Sequence, residues 1–172
     1  MDFNPATGEL WTNDNQVDGM GDDQPPGELD RITEAGQHFG FPYLGGSVRI
    51  PDFKDSEPPK NAVPPVVETI AHAADLGLVF YTGNKFPAKY KKGVFTAQHG
   101  SWNRTEPIGA RVLFTPLNDD GTAGEQEEFA AGWLNADGEY IGRPVDIAQL
   151  RDGSLLVSDD FAGAVYRISY SQ

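Results

Sequence analysis

The chain has no cysteine among its 172 residues. That excludes a disulfide scaffold and any thiolate metal site. Basic residues are scarce: 13 Lys and Arg stand against 26 Asp and Glu, a formal net charge of −13. A surface so charged repels phosphate, so no nucleic-acid partner is expected. No apolar run approaches the ~20 residues that a membrane-spanning helix needs. Met1 to Asn15 is acidic and has no apolar core, so no signal peptide is expected there. There is also no Gly-x-Ser-x-Gly, no phosphate-cradling glycine loop and no His-Glu-x-x-His.

What is present points to a folded β protein. The 20 Gly and 13 Pro imply many tight turns. The 10 Phe, 6 Tyr and 3 Trp argue against disorder, and each can bury roughly 150–250 Å². One unit over residues 1–172 fits the usual domain size of about 100–200 residues.

Short strands are expected over 9–12, 28–32, 76–81, 93–98, 111–117, 127–131, 145–150, 154–158 and 164–170. Turns such as Asn118-Asp119-Asp120-Gly121 and Arg151-Asp152-Gly153 separate several of them, as in antiparallel meanders. The run His38 to Tyr43 is expected to partner the 28–32 strand, and 66–75 to hold a helical turn or two. Residues 51–65, with five prolines among charges, read as an extended surface loop. The segments Asn4 to Trp11 and Leu150 to Val157 share one form: turn, glycine, polar residue, apolar strand. Such repetition marks radially repeated sheets. The expected class is therefore all-β, a partial β-propeller of two to three four-stranded antiparallel blades. A β-sandwich is the alternative.

Three stretches could carry chemistry. The first is an acidic, glycine-containing loop with Asp14, Asp18, Asp22, Asp23, Glu28 and Asp30. Hard cations such as Ca²⁺ take carboxylate and carbonyl oxygens, although the EF-hand spacing is not met. A solvated acidic loop is the plainer alternative. The second stretch is Gln98-His99-Gly100-Ser101-Trp102-Asn103-Arg104. Arg104 could clamp a carboxylate, Trp102 could stack on a flat ring, and His99 could bind or titrate. A structural aromatic corner explains the same residues. The third is Tyr140-Ile141-Gly142-Arg143-Pro144, where the following proline holds Arg143 extended as an anion ligand or a surface ion-pair partner.

These stretches, with Gly36-Gln37-His38-Phe39-Gly40-Phe41-Pro42 and Asp152-Gly153-Ser154-Leu155-Leu156-Val157-Ser158-Asp159-Asp160, occur in an order that carries a resemblance. The chain resembles the C-terminal part of the soluble glucose/sorbosone dehydrogenase family, with the sorbosone branch closest. These are enzymes dependent on pyrroloquinoline quinone (PQQ), built on a six-bladed β-propeller. The resemblance implies oxidation of an aldose sugar or sorbosone, with PQQ and Ca²⁺ as cofactors and a periplasmic or secreted location. It implies Ca²⁺ held by Glu28 and the Phe39 carbonyl, with Asp22 of the acidic loop added to that set. It further implies PQQ contacts from Asn15, Gln16 and Arg143, with Arg104, His99 and Trp102 in a neighbouring cofactor loop. None of His38, His72 or His99 matches the family's catalytic base. The expectation is thus a half-propeller, weakly active or inactive alone, whose partner is a missing N-terminal half or a second copy. The competing expectation is a non-catalytic, Ca²⁺-stabilised β module for binding or assembly.

Overall fold

The computed structural model describes residues 1–171, among which there are β-strands and short 3-10 turns but no α-helix. The strands are β1 (Asp2–Phe3), β2 (Leu10–Asp14), β3 (Gly27–Ile32), β4 (Leu44–Gly45), β5 (Val48–Arg49), β6 (Val67–Thr69) and β7 (Asp75–Phe80). They continue with β8 (Gly93–Gln98), β9 (Arg111–Pro116), β10 (Glu127–Ala130), β11 (Pro144–Gln149), β12 (Leu155–Asp159) and β13 (Ala164–Ile168). Pairing is antiparallel and forms two four-stranded sheets, β1-β2-β3-β6 and β10-β9-β8-β7, and a three-stranded sheet, β11-β12-β13. The strands β4 and β5 make a small hairpin of their own.

The three main sheets stack face to face, with the β7–β10 sheet in the middle. The alternation of β8 explains this. All six of its residues are buried, which is the pattern of a strand covered on both faces. Phe95 and Ala97 point to one side and join Ile147, Leu155 and Val157 of the third sheet. Val94 points to the other side and joins Trp11 and Leu29 of the first. Successive sheets packed in this way form a partial β-propeller, and a two-layer sandwich does not describe them. The repeated segment seen in the sequence has a structural meaning. Asn4–Gly8 and Arg151–Gly153 turn the chain from the first to the second strand of their sheets.

The innermost strands approach closely. A Cβ built on Gly77 of β7 would lie 2.6 Å from the Asp146 Cα of β11. Glycine is required there by contact between backbones. On the outer side of the third sheet, β13 has no second neighbour among the described residues. Its Val165 is 64 % exposed, while Arg167 donates to Asp152 and Ser154.

Two expectations need correction. Residues 66–75 form β6, a turn and the start of β7, with no helix. His72 and Ala74 take φ of 65° and 56°, left-handed values that a right-handed helix cannot contain. Nor does the His38–Tyr43 run pair with β3, because β2 and β6 already occupy both edges. His38 instead bridges Ala62, and Gly40 turns the chain toward the β4–β5 hairpin. The 51–65 segment is largely exposed and irregular, apart from a 3-10 turn at Pro51–Phe53.

One buried hydroxyl ties two sheets together. Tyr81 Oη donates to the Gly153 carbonyl at 2.8 Å and accepts from the amides of Lys85 and Phe86. Tyr81→Phe leaves those groups without a partner in the interior, at a cost of about 1–3 kcal/mol. Urea unfolding should show the loss as a lower midpoint with an unchanged slope.

Candidate functional site

The loops that join β2 to β3, β6 to β7, β8 to β9, β10 to β11 and β12 to β13 all leave the same end of the sheets. Topology therefore brings Asn15, Gln16, His72, His99, Trp102, Arg104 and Arg143 to one rim, although they are far apart in sequence. A cleft of about 230 Å³ opens there, lined by Asn15, Gln16, Asp18, His72, Trp102 and Asn103 among others.

Each wall is fixed by hydrogen bonds. Asn15 Nδ2 donates to the Asp75 carbonyl at 3.1 Å, which anchors the β2–β3 loop. His72 Nε2 lies 2.9 and 3.2 Å from the carbonyls of Gly21 and Gln24, and must donate to them. Asn103 Nδ2 then donates to Asp18 at 2.7 Å and faces His72 Nδ1 at 3.2 Å. The left-handed backbone of His72 costs of order 1–3 kcal/mol, and such strain clusters at functional sites. Trp102 stands 76 % exposed at the mouth, although Trp11 and Trp133 are buried.

The two arginines are largely committed to the protein. Arg143 donates through Nε and Nη2 to the carbonyls of His99, Gly100 and Ser101, and its guanidinium lies 4.4 Å from the Tyr140 ring centre. Gly100 makes this possible, with φ of 99° and the Tyr140 ring 2.7 Å from where a Cβ would sit. Nη1 of Arg143 has no hydrogen-bond partner among the described residues. Arg104 donates to the Asp22 and Ala71 carbonyls and to Asp23, and its buried Nε has no partner among the described residues. His99 faces Asp160 at 2.9 Å, a contact that holds the Asp160 carboxyl below its usual range.

Beneath the rim lies a row of acids that register creates. Asp14, Glu28 and Glu68 are directly opposite one another on β2, β3 and β6, and Asp30 follows two residues along β3 on the same face. Like charges in that arrangement repel. Gln16 Nε2 and the Gly46 amide each donate to Glu28 Oε1 at 2.6 Å, and the Ser47 amide donates to Glu68. The β4–β5 hairpin turn is thereby docked over the row. Glu28 Oε2 and Asp30 Oδ1 are buried and have no hydrogen-bond partner among the described residues. Burial first, and then the neighbouring carboxylates, push both acids up to about 7. Asp22, which the sequence reading groups with Glu28, is engaged elsewhere: its carboxylate accepts from the Thr105 amide at 3.1 Å. Phe39 lies half-buried beside the His38–Ala62 bridge. Among the described residues, no group of three or more His, Asp or Glu side chains is arranged to hold a metal.

Sequence reasoning missed His72 and Glu68, and placed Asp18 only in the acidic loop, not at the cleft wall. The visible signal for His72 was a histidine between two alanines, which says nothing about a left-handed turn. Glu68 becomes notable only once β6 is registered against β3.

The chain is 43 % identical over 177 residues to an uncharacterized protein of Borreliella burgdorferi, a match over 100 % of this chain and 46 % of the relative. It is 31 % identical over 129 residues to a pyrroloquinoline quinone-dependent pyranose dehydrogenase of Coprinopsis cinerea, over 63 % of this chain and 16 % of that protein. In fold it superposes on the calcium structure of a Trichoderma reesei carbohydrate-active enzyme of family AA12. That match has a TM-score of 0.75 and 21 % identity, over 98 % of this chain and 50 % of that one. The chain therefore spans about half the length of the Borreliella relative and of the Trichoderma structure, and less of the Coprinopsis enzyme. The TrAA12-like pattern matches residues 28–171, and the chain belongs to that family.

Proposed function

We propose that the chain forms part of the cofactor and substrate site of a PQQ-dependent sugar oxidoreductase, acting at C1 of an aldose or on sorbosone. The observation that carries this reading is the rim cleft, where an exposed Trp102 adjoins Asn15, Gln16 and Asp18. The relationship to a pyranose dehydrogenase supports it.

The residues present fit the implied groups in part. PQQ is a flat quinone with carboxylates, and Arg143, braced by three carbonyls, keeps an Nη1 unpaired among the described residues. Arg104 does not fit, because its outer nitrogens are taken by Asp22, Ala71 and Asp23. The orphaned oxygens of Glu28 and Asp30 suit a hard cation such as Ca²⁺, while the Phe39 carbonyl and Asp22 belong to that set by the resemblance alone. When bound, the quinone would supply the acceptor for the electrons that leave the sugar carbon. This chain's part is to orient: Arg143 fixes a carboxylate, and Trp102 covers a ring face and excludes water.

In this reading the general base lies in the remainder of the ring. His38 Nδ1 accepts from the Gly40 amide, His72 is held by loop carbonyls and His99 by Asp160. The sorbosone-type branch, a C-terminal position in the parent enzyme and a periplasmic or secreted location belong to the same proposal. A Ca²⁺-stabilised binding module is the second reading, favoured by the commitment of both arginines to backbone carbonyls.

Titrating PQQ into the Ca²⁺-loaded chain, followed by its visible absorbance, separates the two. Saturable binding is expected, weakened roughly 10-fold or more in Arg143→Gln, since a charge-assisted hydrogen bond contributes about 1.5–3 kcal/mol. Arg104→Gln should lower stability and leave PQQ affinity unchanged. Absence of PQQ binding would leave the module reading in its place.

A further inference from the structure

A second concavity adjoins the rim cleft. It encloses about 300 Å³ and is lined by Asp18, Met20, Phe41, Ile50, Asp52 and Phe53 among others. Asp18 lines both hollows, so they share a wall. Alone, the first is smaller than the usual small-molecule cleft of about 300–1,000 Å³; joined, the two fall within that range. Phe41 is 54 % exposed; Phe3 and Phe161 are also exposed, but of the three only Phe41 lines this hollow. The side chain of Asp18 is also 54 % exposed, and Asp52 is exposed beside Phe53.

Aromatic faces alternating with carboxylates have a chemical meaning. The rings offer flat apolar surface to C–H faces. Ionised carboxylates only accept hydrogen bonds, so they favour a ligand rich in hydroxyl donors. A ligand of that kind is a neutral carbohydrate. An anionic glycan is disfavoured by Asp18, Asp52 and a chain charge of −13.

We propose that this second hollow is a subsite for an additional sugar ring, so that the site takes a neutral oligosaccharide with one ring at Trp102 and another at Phe41. The inference rests on the sugar-site reading given above and extends it from a single ring to a chain. Asp18, held by Asn103, lies between the two rings and accepts hydroxyls from both.

Tryptophan fluorescence reports on the site directly, because Trp11 and Trp133 are 0 % and 8 % exposed and only Trp102 faces solvent. The full chain is titrated with glucose, cellotetraose and maltotetraose. At least one tetrasaccharide should bind more tightly than glucose, by about 2–10-fold for one added aromatic contact. Phe41→Ala, at an exposed position that does not endanger folding, should remove that gain and leave glucose binding unchanged. Equal affinities for glucose and both tetrasaccharides would overturn the second subsite and leave the Trp102 cleft standing. A gain that survives Phe41→Ala would overturn the assignment to this hollow. No response to any of the sugars would overturn the sugar-site reading and the extension together.

Discussion

Phe95→Ala is expected to lower the melting temperature by roughly 10 °C, at a cost of about 3–5 kcal/mol. Phe95 is fully buried at the centre of the contact between the second and third sheets. Its ring centre lies 4.6 Å from Phe129, 4.9 Å from Phe114, 5.7 Å from Tyr90 and 5.9 Å from Tyr81. The removed volume cannot be refilled cheaply, because these neighbours also contact one another and are held from several sides. The matched control is Phe3→Ala, at a residue 62 % exposed, which should melt within a degree or two of the parent. Calorimetry distinguishes the outcomes. Similar melting of the two variants would mean that the stacked-sheet core is wrongly assigned.

The chain stripped of divalent cations should be more stable at about pH 5.5 than at about pH 8. Glu28 and Asp30 are raised to about 7, first by burial. Glu28 is further raised by Asp14 and Glu68, and Asp30 by Glu28 and Asp14. A carboxyl with a raised folded-state value favours folding while it is protonated. Its contribution is complete below the ordinary values of 4.5 and 3.8, and is lost as pH rises through about 7. A bound Ca²⁺ reverses the sense, because it needs the ionised form. Calcium should therefore raise the melting temperature more at the higher pH, by about 2.7 kcal/mol of stability at a hundredfold excess over its dissociation constant. Glu28→Gln should flatten the pH profile and reduce the calcium effect. A melting temperature in chelator that is indifferent to pH between these values would remove the basis for a strained acidic row.

Much of the fold was legible because burial on two faces leaves a continuous apolar run. Gly93–Gln98 was read with its observed boundaries for that reason. The β11–β12 connection was equally clear, since Leu150-Arg151-Asp152-Gly153 carries its own turn chemistry. The failures have a common cause. Residues 66–75 have helix-compatible composition, and only tertiary packing forces His72 and Ala74 into left-handed geometry. The same limit applies to the site. Loop order on successive sheets places His99, Trp102, Arg104 and Arg143 at one rim, whereas in the sequence only the family resemblance groups them. What each side chain does there was not legible. Hydrogen-bond partners such as the carbonyls of His99, Gly100 and Ser101 have no side-chain signature. The acidic row depends on register, and a one-residue slip of β3 would scatter it.

Among the described residues the outer edge of β13 is unpaired, which bears on handling of this chain. Unpaired strand amides and carbonyls recruit whatever strand diffuses past, so loss of soluble material should scale with how concentrated the sample is. Arg167, tethered to Asp152 and Ser154, places a positive charge along that edge next to the exposed Val165. It acts as a gatekeeper there. Conditions that neutralise Asp152 or screen the guanidinium therefore trade colloidal lifetime for whatever else they achieve.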